Sequence, residues 1–470
     1  MNSTINEAIE KSTFRILILY EVFIFTVFAI TGKVLFFAVL ALLPLVFLLL
    51  VPSKINWVYL LLFYICFFPT ASWGSRYEFF VHHVYPPVMI GLTAVIFFFW
   101  YFEFLDNPYR LLRSNMDRLI LALWIWIIFS MFTGLTKDYS NSFLFREAVY
   151  LSLYLTYFIF RDIFRNVKYV KYITVFFVIV TFLVSIQYIL LFFSEANIIS
   201  LIFKRVVTQQ THIILIGYFI LLNIIIFHKG IWYRYGALIG TFPHILAMFF
   251  SQQRALWGAA VIGTFALIFI NGKRNFSKKT WIYLWIGFGS IITALIFLLI
   301  YVEELVGGSL IYTAFRRIEF IFNLQFDVSL NARIAEIKVA LKQWEAYPIW
   351  GTGLGSSITR FAKMGISNIV DNSFANYLWK MGIVGLAIYI GILLSFFAMG
   401  IKTLKTSENI LEKNFVTTLL VAFGSLLIVA LTNSSVFIYR FNIIWAMIFA
   451  VVHRYYDQYT GPDNEHLHNR

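Results

Sequence analysis

Three charged residues have the type and placement to do chemistry: Asp371, which opens D-N-S-F-A-N-Y-L-W-K-M-G-I-V-G; Arg254, in S-Q-Q-R-A-L-W; and Arg333, in N-A-R-I-A-E-I-K. A carboxylate at the lip of an apolar helix can accept hydrogen bonds from free backbone N–H groups, an N-cap worth about 1 kcal/mol. It can also serve as a general base that takes a proton from a hydroxyl. Asp371 and Asn372 share the first turn, so the two roles are open to division between them. An arginine taken alone is a solvated or snorkelling side chain. Several converging on one cavity make an anion site, because a guanidinium fork matches phosphate oxygens in pairs.

Other residues carry weaker signals. The run W-G-T-G-L-G-S-S, Trp350 to Ser357, lacks the lysine and hydroxyl of a nucleotide-binding P-loop. Its Gly353 and Gly355 instead permit close backbone approach, to a lipid headgroup or to another loop. Trp344, Trp350, Tyr377 and Trp379 could stack on sugar rings or anchor at a membrane interface. His82 and His83 with Glu78 have poor spacing for a metal, and none is expected. Glu21, inside an apolar run, must face other helices. Glu303 and Glu304 read as a solvated helix end, His244 after Pro243 as part of a kink, and the single cysteine, Cys66, as packing.

The elements that must position these groups follow from composition. The chain has 470 residues, 61% hydrophobic and only 13% charged, which excludes an ordinary soluble domain. Apolar runs recur near 14–31, 34–51, 56–71, 86–104, 118–135, 145–162, 170–193, 211–228, 232–250, 253–270, 281–302, 373–399, 412–431 and 436–453. Each is long enough to cross a hydrocarbon core of about 30 Å as a helix. The expected fold is an all-α polytopic bundle of about 12–14 spans. A net charge of +14 spread over short loops excludes a nucleic-acid patch and fits sorting of positive residues to the cytoplasm. The basic loops 161–171, 271–279 and 402–413 then lie inside, together with both termini. Arg76, Arg146, Lys204, Arg205, Arg316, Arg317 and Arg440 map outside, as do the three residues singled out first.

Four divisions result: spans 1–11 over 1–302, a large extracytoplasmic loop over 303–372, three spans over 373–454 and a cytoplasmic tail over 455–470. At about 70 residues the loop is far longer than a connection between packed helices, and long loops carry function. Within it a helix is expected from an Asn331 N-cap to just before Pro348. Its apolar stripe is Ile334, Ile337, Leu341 and Trp344, which would lie on the bilayer or on the bundle.

Residues 240–400 resemble the family of O-antigen ligases and Wzy-type O-antigen polymerases. The resemblance rests on order: S-Q-Q-R-A-L-W before a span, a large loop with an arginine helix and a tryptophan, Y-P-I-W-G-T-G-L-G, then D-N-S-F-A-N-Y-L-W-K-M-G-I-V-G. It implies a GT-C-like helical fold in the bacterial inner membrane. It also implies glycosyl transfer from polyprenyl-pyrophosphate-linked glycan, without cofactor or metal. Carried over, Arg254 and Arg333 bind the donor pyrophosphate and Asp371 is the base, while Asn372, Gly353, Gly355 and Trp344 complete the substrate site. Ligases of the family commonly show His before the Asn; Asp371 in that place favours a polymerase of surface polysaccharide over a ligase that transfers glycan to lipid A core. Attack from the face opposite the leaving group would invert the anomeric centre. Donor and acceptor glycolipids, the bilayer and a chain-length regulator or flippase are the expected partners, with no nucleic acid. A lipid-linked oligosaccharide flippase is the reading from another class, but such transporters show repeated halves and midplane charges.

Overall fold

The computed structural model describes residues 54–67, 85–106, 111–195, 210–251, 253–275, 328–360 and 365–460, with Gly289 and Thr293. The expected spans 14–31 and 34–51 and most of 281–302 lie outside the described residues. So do Glu21, Arg76, Glu78, His82, His83, Lys204, Arg205, Glu303, Glu304, Arg316 and Arg317.

The elements are α1 (Lys54–Phe67), α2 (Tyr85–Asp106), α3 (Asn115–Leu135), and α4 (Asn141–Ser152), which runs through a 3-10 turn into α5 (Thr156–Ile163). Then come α6 (Val167–Glu195), α7 (Thr211–Phe227), α8 (Ile231–Phe250), α9 (Arg254–Asn275) and α10 (Val328–Trp344). A short antiparallel hairpin, β1 (Ile358–Arg360) and β2 (Gly365–Ser367), pairs Ile358 with Ser367. The chain closes with α11 (Ser373–Thr406), α12 (Ile410–Ala430) and α13 (Tyr439–Thr460). Among the described residues, five helical stretches are long and apolar enough to cross a membrane: Asn115–Leu135, Asn141–Ile163, Val167–Leu190, Ser373–Thr406 and Ile410–Ala430. The protein is an all-α polytopic membrane protein.

Helix α3 illustrates how sequence makes these elements. Ser114 caps it by accepting from the Asp117 N–H, and the Asp117 carboxylate accepts from the Ser114 N–H in return, a complete capping box. Met116, Ile120, Leu123, Ile127, Ser130 and Gly134 are buried at steps of three and four, a single inward stripe. The stripe ends in small residues because another segment enters there. A Cβ at Gly134 would stand 2.1 Å from the Leu354 carbonyl oxygen.

The bundle has two polar ends. At one, Asp117 Oδ1 accepts from the Tyr157 hydroxyl and the Arg161 guanidinium, each at 2.8 Å, while the same hydroxyl meets His453. This end carries the basic stretch 161–171. The opposite end gathers the C-terminus of α3, the N-termini of α4, α7 and α13, and the segment 345–372.

That segment is held by a break in α11. Gly382 has φ +67° and ψ −170° inside an otherwise continuous helix of 34 residues. A broken helix exposes backbone groups that must find partners in an apolar setting. The loop supplies them: Thr352 and Gly353 N–H donate to the carbonyls of Trp379 and Lys380 at 2.8 and 3.0 Å. The Trp126 indole takes the Met381 carbonyl at 2.8 Å, and the Ile383 N–H donates to Pro348. The sequence reads 373–399 as one plain span; the break has no hydropathy signature because, apart from Lys380, the residues around it are apolar or glycine. Gly382→Ala is expected to cost about 1–3 kcal/mol from the positive φ alone. The added Cβ would also sit 2.1 Å from the Ile349 carbonyl oxygen, so thermal unfolding in detergent should show a loss beyond that range.

Candidate functional site

Asp371 lies on the short segment between β2 and α11, and four side-chain contacts fix that segment. Asn376, on the first turn of α11, accepts from the Val370 N–H at 3.0 Å and donates to the Val370 carbonyl at 2.6 Å. The Asn372 side chain caps α11 by accepting from the Ala375 N–H at 2.8 Å and donates to the Leu431 carbonyl at 2.9 Å. The division left open by the sequence is therefore resolved: Asn372 is the cap, and Asp371 is left for another task.

The Asp371 carboxylate faces Arg333, with Oδ2 3.3 Å from Nε, and the two side chains are 33% and 27% exposed. A molecule from outside can reach both. Arg333 is delivered by α10 (Val328–Trp344), so the expected cap Asn331 lies inside the helix, which stops at Trp344 as Pro348 requires. The helix lies on the bundle. Its buried Ala340, with Ile337 and Trp344, packs on Trp379, Val370 and Ile358 in a cluster separate from the main core. Ile334, counted in the expected stripe, is exposed instead, and Ala340 is the residue of α10 fully buried in that cluster.

Arg254 is the first residue of α9, at the same end of the bundle. Separate side-chain contacts tie together the segments that lie between it and the pair. Ser373 Oγ donates to the Asn433 carbonyl at 2.8 Å, Ser435 Oγ meets His212 Nε2 at 3.2 Å, and Thr211 donates to Gln253, next to Arg254, at 3.4 Å. The direct contact joins Arg333 and Asp371; Arg254 lies at the same end of the bundle.

The remaining site expectations fall into the walls of the loop. Gly353 and Gly355 are buried, with φ +93° and +83°, against Gly134 and Leu144, so the close approach they permit is to helices α3 and α4. Trp344 donates its indole N–H to the Pro348 carbonyl at 3.0 Å and closes the turn after α10. Tyr377 and Trp379 are fully buried, which removes them as sugar platforms; Trp350 and Tyr347 are exposed. Lys137 sits 3.3 Å from the Tyr347 ring centroid and donates to the Thr352 carbonyl; burial lowers its ammonium pKa below the ordinary lysine value. His244 packs by contacts to the Gly240 carbonyl and Thr181, beside Pro243 within α8.

Residues 239–390 match the family model described as O-antigen ligase. The match bears out the resemblance and spans Arg254, Arg333 and Asp371. A comparison with curated proteins finds no match. Within this membrane protein, residues 239–390 are thus similar to the O-antigen ligase family, and the Arg333–Asp371 pair falls inside the matched segment.

A second constellation escaped the reading of the sequence. Lys380 of α11 and Glu147 of α4 form a buried ion pair, Nζ to Oε1 at 2.9 Å, with side chains 0% and 2% exposed. Glu147 also accepts from the Gly355 N–H at 2.9 Å and from Asn368 Nδ2 at 2.5 Å, while Lys380 also donates to the Ser356 carbonyl at 2.9 Å. Arg146 holds the other side of Asn368, Nη2 to Oδ1 at 2.9 Å. The available signal was one lysine and one glutamate inside apolar spans, each of which requires a partner in lipid.

Proposed function

We propose that the protein polymerises polyprenyl-pyrophosphate-linked oligosaccharide repeat units into a surface polysaccharide at the outer face of the bacterial inner membrane. The observation that carries this reading is the reachable Arg333–Asp371 pair, with Arg254 at the same end of a membrane bundle. Outside the cell no sugar nucleotide is at hand, so the energy for a glycosidic bond must arrive with a lipid pyrophosphate. Fixed guanidinium groups stabilise a departing pyrophosphate electrostatically. In the resting site the Arg333 guanidinium is engaged by the Asp371 carboxylate. A pyrophosphate offers a better-matched anion, and as Arg333 turns to it the carboxylate becomes available to the acceptor hydroxyl.

The step balances simply. The acceptor oxygen bonds to the anomeric carbon, the carbon–oxygen bond to pyrophosphate breaks, the lipid pyrophosphate leaves, and the hydroxyl proton passes to Asp371. Attack opposite the leaving group inverts the anomeric centre. Both termini and the basic loops are assigned to the cytoplasm, and 303–372 to the outer side, by the charge of the loops. A chain-length regulator or a flippase is the expected protein partner. The family description favours a second reading, ligation of the finished glycan to lipid A core, which uses the same donor and a different acceptor.

Purified protein supplied with a lipid-linked repeat unit separates these. Chain growth supports polymerisation. Transfer solely to added lipid A core supports ligation, and neither product together with movement of the lipid across vesicles would replace both by a flippase. In that assay Arg254→Ala is expected to lower kcat/KM about hundredfold, the scale of one lost oxyanion contact, without a change in unfolding temperature. Wild-type chain growth by this variant would remove Arg254 from the site.

A further inference from the structure

We propose that Arg146 and Glu147 of α4 are positioning residues for Asp371, acting through Asn368; the inference rests on the polymerase reading above. The two neighbours grip both ends of one side-chain amide. Arg146 Nη2 donates to Asn368 Oδ1 at 2.9 Å, and Asn368 Nδ2 donates to Glu147 Oε1 at 2.5 Å. Asn368 precedes Asp371 by three residues, and the backbone between them is held again at Val370 by Asn376. With positions 368, 370 and 372 all fixed, the reach of the carboxylate toward Arg333 is set by the backbone and varies only through its own side-chain torsions.

Glu147 is anchored in turn. It accepts from Lys380 Nζ at 2.9 and 3.0 Å and from the Gly355 N–H at 2.9 Å, so one carboxylate unites α4, the glycine loop, the strand end and α11. Buried ion pairs add little stability over apolar residues of the same volume. What this one supplies is registry: it sets the loop and the Asp371 segment against the same helix. The grip also comes from outside residues 239–390, so the matched segment depends on a helix far upstream for the placement of its acid.

The interaction between Glu147 and Asn368 can be inverted without changing the charge of the cluster. In E147Q the amide donates where a carboxylate accepted; in N368D a carboxylate accepts where an amide donated, and it still faces Arg146. Each single variant is expected to lower kcat for chain growth by about tenfold to hundredfold, the scale of a misplaced reacting group, with KM for the lipid-linked repeat unit within about twofold. The double variant E147Q/N368D is expected to recover most of that loss. The exposed Arg146 gives a variant without a buried charge defect: R146Q should lower kcat about tenfold at an unaltered unfolding temperature.

Wild-type kcat in R146Q, or losses in the double variant that simply add, would overturn the positioning role. D371N in the same assay keeps the two readings apart. Wild-type chain growth by D371N sinks the assignment of the base, whereas a dead D371N alongside an unrescued double variant sinks only the role of α4.

Discussion

Asp371→Asn is expected to reduce chain growth by about 10²–10⁴-fold, the contribution of a positioned general base, while the protein unfolds at close to the wild-type temperature. The segment around residue 371 is held by Asn372, Asn376 and Ser373, none of which uses the Asp371 carboxylate in the contacts described above. The substituted amide has the same shape, and its oxygen can still face Arg333, but it cannot take a proton from a hydroxyl. Loss of the ion pair itself should be mild, because both side chains are about a third exposed and solvent screens them. Asp371→Glu separates placement from basicity: it keeps the carboxylate but moves it by one methylene, and partial activity is expected. The measurement is polymer length and initial rate with a purified lipid-linked repeat unit. Wild-type polymer from Asp371→Asn would mean that the carboxylate only orients Arg333.

The membrane helices were legible because crossing a hydrocarbon core demands a length and polarity that few other segments share. The run from 118 to 135 appears as Asn115–Leu135, and that from 412 to 431 as Ile410–Ala430. The ends differ because polar caps extend helices past the apolar window. Asn115 follows the Ser114 capping box, and Asn409 caps α12 by accepting from the Leu411 N–H. The meeting of Arg333 with Asp371 was legible only as an expectation of convergence, since they stand 38 positions apart in the chain. The break at Gly382 was not legible at all. Its cause is tertiary: the Trp379, Lys380 and Met381 carbonyls are taken by partners that the sequence places far away.

The two polar ends of the bundle illustrate different uses of buried charge. Near Asp117 the partners Arg161, Tyr157 and His453 all lie on helices of the bundle, and the cluster ties α3, α5 and α13 together. Near Glu147 three of the contacts go to a loop and a strand end, parts of the fold with little apolar area of their own to bury. A loop that carries a reacting group needs such polar anchorage because hydrophobic burial, being non-directional, cannot set its register.

Lys380→Met is expected to be the most destabilising single change at this end. It leaves the Glu147 carboxylate buried with two neutral donors, the Gly355 N–H and the Asn368 amide, and no ammonium. Removing one member of a buried ion pair costs about 3–5 kcal/mol, because the remaining charge has been taken out of water without compensation. The methionine replaces the aliphatic stem well, so the loss comes from charge and from the Ser356 carbonyl, which loses the donation from Nζ. That distinction predicts the behaviour of the double variant Glu147→Gln with Lys380→Met. Neutralising both partners removes the stranded charge, while the amide oxygen introduced by Glu147→Gln can still accept from the Gly355 N–H. Stability should therefore return to within about 1–2 kcal/mol of wild type, the worth of the remaining lost hydrogen bonds. Thermal unfolding of the two variants in detergent, compared with wild type, gives the coupling between the sites. A double variant no more stable than Lys380→Met alone would show that the cost lies in packing around the lysine stem and not in the buried charge.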